Sequence, residues 1–272
     1  MAILQMHYFS QALFRTVSVN VILPADKSVD GAYLRRERPF KTLYLLHGYC
    51  GNHTDWVNYT RIQHWAEDRN LAVVMPSGEN AFYVDHPYGS FGELVGRELV
   101  EITRRMFPLS PKREDTFLAG LSMGGYGALR NGLKYWQTFG AIGAFSSALH
   151  YFELPPDTPG LGLKNDNALF GDLRQAALTD QNPRVAYEAM EAGCRKTGLP
   201  LPRIYMACGT EDELLPSNRS FRDFLVEKSA ALTYTETPGA HNWDFWNEHI
   251  LRFLDWLPLE DANPGTGSGN VK

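Results

Sequence analysis

The chain has 272 residues, 44% of them hydrophobic, with a net charge of −5 and a sequence pI near 5.9. That is enough apolar material for one sizeable core. It excludes a charge-driven nucleic-acid partner, since no basic block interrupts the acidic balance, and a membrane span, since apolar runs such as Leu71 to Met75 are strand-sized.

The N-terminus lacks a basic region followed by an apolar stretch and a cleavage site, so no signal peptide is expected. The run from Leu4 to Ser10 reads as a strand. Beside it, Val17, Val19 and Val21 alternate with period two and predict a partner strand. From Lys41 the pattern changes to strand–helix alternation. Thr42 to Leu46 is a short apolar strand. Asp55 to Arg69 reads as one helix with Asp55 available as its N-cap. Leu71 to Met75 is the next strand, stopped by Pro76. In the segment Phe91 to Phe107, Val95, Leu99, Ile102 and Met106 fall on one helical stripe. Thr116 to Leu121, Ala141 to Phe145, Arg203 to Cys208 and Leu232 to Thr237 complete the strands. Helices follow at Leu129 to Trp136, Phe221 to Lys228 and Trp243 to Leu257.

This order predicts an α/β fold with a mainly parallel sheet, antiparallel first strands and helices on both faces. Residues 1–260 are expected to form a single domain, and the Gly-rich stretch 261–272 a flexible tail. One region breaks the alternation. Residues 149–182 carry Pro155, Pro156, Pro159, Gly160, Gly162 and Gly171 after the sixth strand. A segment of that length between sheet elements is expected to be a lid or cap. Tyr151, Phe152, Leu154, Leu169 and Phe170 give it apolar surface to bury.

The chemistry concentrates at Gly120-Leu-Ser122-Met-Gly124. A serine in the frame G-x-S-x-G, with an apolar strand before it and a helix after it, is the form of a nucleophile elbow. The flanking glycines leave room for a tight turn. The serine then sits at a helix N-terminus, which favours developing negative charge. A serine hydroxyl needs a base, and the base needs a group that fixes its tautomer. In α/β-hydrolases these follow in the order serine, acid, histidine. His241 lies in a loop after the last strand and is the expected base. His249, inside the final helix, reads as a helix-surface residue. Glu211, Asp212 and Glu213 follow a strand and a Gly turn, and compete for the acid. The oxyanion would be held by the backbone N–H of Met123, after the nucleophile. A second N–H would come from the loop after the third strand, where Gly48 lets the backbone turn the Tyr49 N–H inward. His47 reads as a structural residue beside that loop. Trp56 and Trp243, with Phe152, Leu154 and Phe170 from the insertion, are the candidate substrate contacts, and core packing is the competing reading for each.

No metal is expected. There is no H-E-x-x-H, and His47 and His53 lack companions at useful spacing. No cofactor is expected either, since the Gly-rich elbow lacks the G-K-S/T of a phosphate loop. Cys50, Cys194 and Cys208 are an odd number with no C-x-x-C, which fits reduced thiols and a cytoplasmic setting.

Four segments together, Leu45-Leu-His-Gly-Tyr-Cys-Gly-Asn-His-Thr-Asp-Trp56, Gly120 to Gly127, Cys208-Gly-Thr-Glu-Asp212 and Gly239-Ala-His-Asn-Trp243, resemble the esterase D group of α/β-hydrolases. The nearest branch is that of tributyrin esterase, which includes feruloyl and acetyl esterases. The resemblance runs to about Leu257. It implies Ser122, Asp212 and His241 as the triad, and the Tyr49 and Met123 N–H groups as the oxyanion hole. It also implies a cofactor-free serine carboxylesterase acting on small acyl or aryl esters. S-formylglutathione hydrolases belong to the same group, but their loop usually reads Ser-Gly-Leu-Thr-Cys where this chain has His-Gly-Tyr-Cys-Gly. The mycolyltransferases, related in fold, are exported. The alternatives are a thioesterase or acyltransferase, or a non-catalytic binding protein on the same scaffold; the last typically lacks one triad member. The expected partner is a small-molecule ester, and a homo-oligomer is compatible with the sequence.

Overall fold

The early period-two alternation becomes a hairpin of two antiparallel strands, β1 (Ala2–Ser10) and β2 (Arg15–Leu23). The computed structural model describes residues 2–26, 28–29, 32–33, 38–153 and 166–259. The other strands of the main sheet are β3 (Lys41–Leu46), β4 (Leu71–Pro76), β5 (Thr116–Leu121), β6 (Ala141–Phe145), β7 (Arg203–Gly209) and β8 (Leu232–Thr237). They lie in the order β1-β2-β4-β3-β5-β6-β7-β8. β2 meets β4 antiparallel, and all pairs from β4 to β8 are parallel. This is the α/β-hydrolase fold read from the sequence.

The central strands are apolar along their whole length because both faces are covered. Alternate residues serve opposite cores. Tyr44, Leu46, Val74, Leu118 and Ile142 pack on one side, while Leu43, Leu45, Val73, Phe117 and Phe145 pack on the other. The first side is covered by α3 (Leu99–Met106), α4 (Met123–Lys134) and α8 (Pro183–Thr197); the second by α2 (Ile62–Asp68) and α10 (Trp243–Trp256). Further helices are α1 (Asp55–Tyr59), α5 (His150–Glu153), α6 (Asp166–Phe170), α7 (Leu173–Ala176) and α9 (Leu215–Glu227), with a single helical turn at Phe91–Glu93.

Three local expectations are corrected. The helix expected over Asp55 to Arg69 is two, α1 and α2. Thr60 is extended (φ −135°, ψ 172°), and its hydroxyl donates to the Trp56 carbonyl at 2.5 Å while accepting the Ile62 N–H at 3.1 Å. This side chain competes with the backbone for the helical bonds. Asp55 is the first residue of α1 rather than its cap, which is Thr54. In the segment after Phe91, a π-turn at Leu94–Glu98 precedes α3. A π-turn inserts one extra residue and rotates everything after it by about 100°. The buried residues beyond it are therefore Leu99, Val100 and Thr103, while Met106 is 52% exposed. Finally, His249 lies in the core. It is fully buried, stacks on Phe245 at 4.1 Å, and its Nε2 pairs with the Thr237 hydroxyl at 2.8 Å.

The parallel register aligns the carboxyl ends of the strands. Leu46 stands opposite Gly120, Leu121 opposite Phe145, and Gly209 opposite Thr237. The loops after β3, β5, β7 and β8 therefore emerge on one edge of the sheet, the edge where open α/β sheets place ligands.

Candidate active site

Ser122 occupies the turn between β5 and α4 at φ +52°, in the sparsely allowed left-handed half of backbone space. The conformation is held from several sides. The Ser122 N–H donates to the Phe145 carbonyl at 2.8 Å, and its carbonyl accepts from Ala148 and Tyr126, each at 3.0 Å. The glycines are required by close approach: a Cβ on Gly120 would stand 2.4 Å from the Gly124 carbonyl, and one on Gly124 would stand 2.5 Å from that of His47.

The His241 Nε2 lies 3.0 Å from the Ser122 hydroxyl, and its Nδ1 lies 2.9 Å from Asp212 Oδ2. Nδ1 must carry the hydrogen donated to the carboxylate, which leaves Nε2 as the acceptor facing Ser122. The histidine is followed at once by Asn242, whose side chain caps α10 by accepting the Phe245 N–H at 3.2 Å. Asp212 is 4% exposed, and its second oxygen accepts the Leu214 N–H at 2.9 Å. Burial alone would push this carboxyl up. The hydrogen bond and charge of His241, with the Leu214 N–H, outweigh burial and hold it below its ordinary value.

The two neighbouring carboxylates differ. Glu213 is exposed. Glu211, expected to be a solvated loop residue, accepts the Gly239 N–H and a hydrogen bond from the Thr210 hydroxyl at 2.8 Å. Its own N–H donates to the Gly239 carbonyl at 3.0 Å. Glu211 thus braces the loop that carries His241. No spacing in the sequence marks that role.

Ser122 and His241 open onto a cavity of about 420 Å³, lined also by Tyr49, Asp55, Tyr59, Trp243 and Trp246. Trp243 is at the cleft as expected, stacked on Tyr59 at 4.9 Å. Trp56 is not: it is 1% exposed, packs behind Trp243 and donates its indole N–H to the Leu46 carbonyl at 3.0 Å. Phe152 and Phe170 do not line the cleft either; they sit in an aromatic cluster with Phe82 and Tyr126. Phe170 is 5% exposed. Leu154 lies outside the described residues, as do residues 155–165 and the tail 261–272. Among the described residues, none of the cavity lining comes from 149–182. That segment is anchored at its base instead: Arg130 pairs with Asp180 at 2.9 Å, and Arg184 with Glu153 at 2.5 Å.

His47 stands behind the loop after β3 and is 1% exposed. Its Nδ1 donates to the Gly48 carbonyl at 2.7 Å, and its Nε2 accepts the Gly78 N–H at 2.8 Å. Burial lowers its pKa to about 4, and burial does the same to His249. Both rings stay neutral in the fold, whereas in the unfolded chain they protonate near the ordinary value of about 6.5. Stability is therefore full above about pH 6.5 and falls as the pH drops toward 4. The limit is about 3 kcal/mol for each ring, at about 1.4 kcal/mol per pKa unit. Urea midpoints are expected to be nearly equal at pH 7.5 and 6.5 and to fall at pH 5.5 and 5, and His249→Phe to lessen that fall. A midpoint constant from pH 7.5 to 5 would contradict this.

Comparisons with known proteins place the chain in a family. The Esterase family model matches residues 10–257. The chain belongs to the Esterase family. An acetyl esterase of Caldicellulosiruptor saccharolyticus is 41% identical, over 94% of this chain and 98% of that protein. Among solved structures, the substrate-bound fluorophosphonate-binding serine hydrolase F of Staphylococcus aureus is 28% identical with a TM-score of 0.79. An S-formylglutathione hydrolase of the same organism is 29% identical, also at 0.79. Each covers 94% of this chain and 98% of its own. Among the described residues of this Esterase family chain, no helix is long and apolar enough to cross a membrane, and no group of His, Cys, Asp and Glu could hold a metal ion.

Proposed function

We propose that the protein is a serine carboxylesterase that hydrolyses small acyl or aryl esters through an acyl-enzyme on Ser122. The observation that carries this reading is the single imidazole joining the Ser122 hydroxyl to the buried Asp212. Ser122 Oγ attacks the ester carbonyl as His241 Nε2 takes its proton. Asp212 holds the imidazole and stabilises its cation. The oxyanion receives the N–H groups of Tyr49 and Met123. The alcohol leaves with the proton from Nε2. Water, deprotonated by the same nitrogen, then releases the acid.

The cavity favours a neutral leaving group. Among the described residues that line it, Asp55 is the lone carboxylate and none is Lys or Arg. A glutathione thioester carries net negative charge at neutral pH and would meet no Lys or Arg among those described lining residues. The Tyr59–Trp243 stack offers an apolar wall instead. The acetyl esterase relative supports a short acyl group. The unpaired Cys50, Cys194 and Cys208 support a reducing, cytoplasmic setting.

The test is a kcat/KM series over p-nitrophenyl acetate, butyrate and octanoate, methyl ferulate and S-formylglutathione. Acetate or butyrate is expected to lead, with S-formylglutathione at least roughly tenfold below, the scale on which a pocket discriminates by simple contacts. A series led by S-formylglutathione would replace this reading with a thioesterase.

A further inference from the structure

We propose that the loop after β4, residues 77–84, sets the oxyanion hole from behind, with His47 and Asn80 as positioning residues. This rests on the esterase reading. None of these residues needs to touch substrate.

The proposal follows from how the peptides on either side of Tyr49 are fixed. The Gly48 carbonyl accepts from His47 Nδ1 at 2.7 Å and from the Gly51 N–H at 3.2 Å. Across a planar trans peptide the C=O and the following N–H point in opposite directions. Holding the Gly48 carbonyl toward the imidazole therefore turns the Tyr49 N–H the other way. Gly48 sits against the elbow, where a Cβ on it would stand 3.5 Å from Ser122 Cβ. Among the described residues the Tyr49 N–H has no protein acceptor. On the far side of Tyr49, the Cys50 N–H donates to Asn80 Oδ1 at 2.7 Å. Cys50 itself is held at φ +64°.

The loop also decides the His47 tautomer. The Gly78 N–H can only donate, so Nε2 must accept, and the hydrogen is left on Nδ1, where the Gly48 carbonyl needs it. The same loop is keyed to the elbow helix. The Tyr83 hydroxyl donates to the His47 carbonyl at 3.1 Å, while Asn131 of α4 donates to the Tyr83 carbonyl at 2.9 Å. The Tyr83 ring fills the space that a Cβ on Gly127 of α4 would occupy, at 2.5 Å. Glu79, Phe82 and Tyr83 all have positive φ without being glycine. Such conformations persist where the surroundings over-determine them, and they cluster at functional sites. The loop thereby ties the two oxyanion donors, Tyr49 and Met123, to one frame.

The experiment uses Asn80→Ala, Asn80→Asp and Tyr83→Phe. Asn80 is exposed, so its variants leave the core intact, and urea midpoints check this. With p-nitrophenyl acetate, Asn80→Ala is expected to lower kcat by roughly ten- to a hundredfold, less than the hundredfold or more of losing an oxyanion donor outright. KM should stay within about twofold, as when an interaction made only in the transition state is removed. Affinity for a phenylboronic acid, whose tetrahedral adduct places an oxygen in the hole, should fall by the same factor as kcat. Asn80→Asp keeps the acceptor and should stay near wild type. Tyr83→Phe should move kcat and boronate affinity together in the same direction. Wild-type kcat in folded Asn80→Ala and Tyr83→Phe, or a fall in kcat with unchanged boronate affinity, would overturn the proposal. The underlying esterase reading fails on a different result, activity surviving Ser122→Ala.

Discussion

Ser122→Ala is expected to abolish ester hydrolysis in a protein that stays folded. The hydroxyl takes no part in holding the elbow, which is fixed by the Ser122 backbone bonds to Phe145, Ala148 and Tyr126 and by the close approach of Gly120 and Gly124. An alanine there has a Cβ of the same size and accepts the same backbone geometry. The chemistry loses its nucleophile entirely, so kcat should fall on the order of 10⁶-fold, the scale found when the serine of a serine hydrolase is removed. The check is kcat for p-nitrophenyl acetate with the urea midpoint measured alongside. More than a tenth of wild-type activity in a folded variant would remove Ser122 from its proposed role.

Asp212→Asn is expected to lower kcat by roughly 10³- to 10⁴-fold with little change in KM, as when an imidazole is left in the wrong tautomer. Asp212 accepts from Nδ1 of His241 with one oxygen and from the Leu214 N–H with the other. In the amide, the oxygen keeps the Leu214 N–H and the NH₂ faces His241. The ring then favours a hydrogen on Nε2, where it must instead accept from Ser122. Glu211→Gln should lose much less, because an amide oxygen still accepts the Gly239 N–H that braces the loop. Glu213→Gln should change nothing measurable, since that side chain is exposed. A larger loss in either glutamate variant than in Asp212→Asn would reassign the acid.

The parts of the molecule legible in the sequence are those set by local rules. The elbow was visible because close approach demands glycine at Gly120 and Gly124, and glycines at fixed offsets can be counted. The sheet was visible because strands buried on both faces must be apolar throughout, as Leu71 to Met75 are. His241 stood out because it alone of the late histidines lies in a loop after a strand. Asp212 did not stand out by itself. Three carboxylates in a row give no clue to which one turns inward, and only the resemblance separated them.

What was missed depends on contacts between distant residues. The π-turn at Leu94–Glu98 rotates the face of α3, and an unbroken 3.6-residue period cannot register one inserted residue. The break at Thr60 comes from a hydroxyl competing for backbone bonds. Trp56, Phe152 and Phe170 are aromatic for the core's sake, and sequence cannot tell a core aromatic from a cleft aromatic. His249 was readable in principle: with Trp246, Ile250 and Phe253 it shares the buried stripe of α10. Charge and polarity made it look like surface, and its partner, Thr237, lies on a neighbouring strand.

The central claim is that Ser122 carries the acyl group during turnover, and mass spectrometry of the trapped enzyme tests it most directly. The protein is mixed with p-nitrophenyl butyrate, quenched in acid within milliseconds, digested and mapped, with a parallel sample treated with a fluorophosphonate. The account predicts one butyryl or phosphonyl adduct, on the peptide containing Ser122, and none in Ser122→Ala. An adduct on another residue, such as the exposed Cys50 beside the cavity, or an adduct that survives Ser122→Ala, would contradict it.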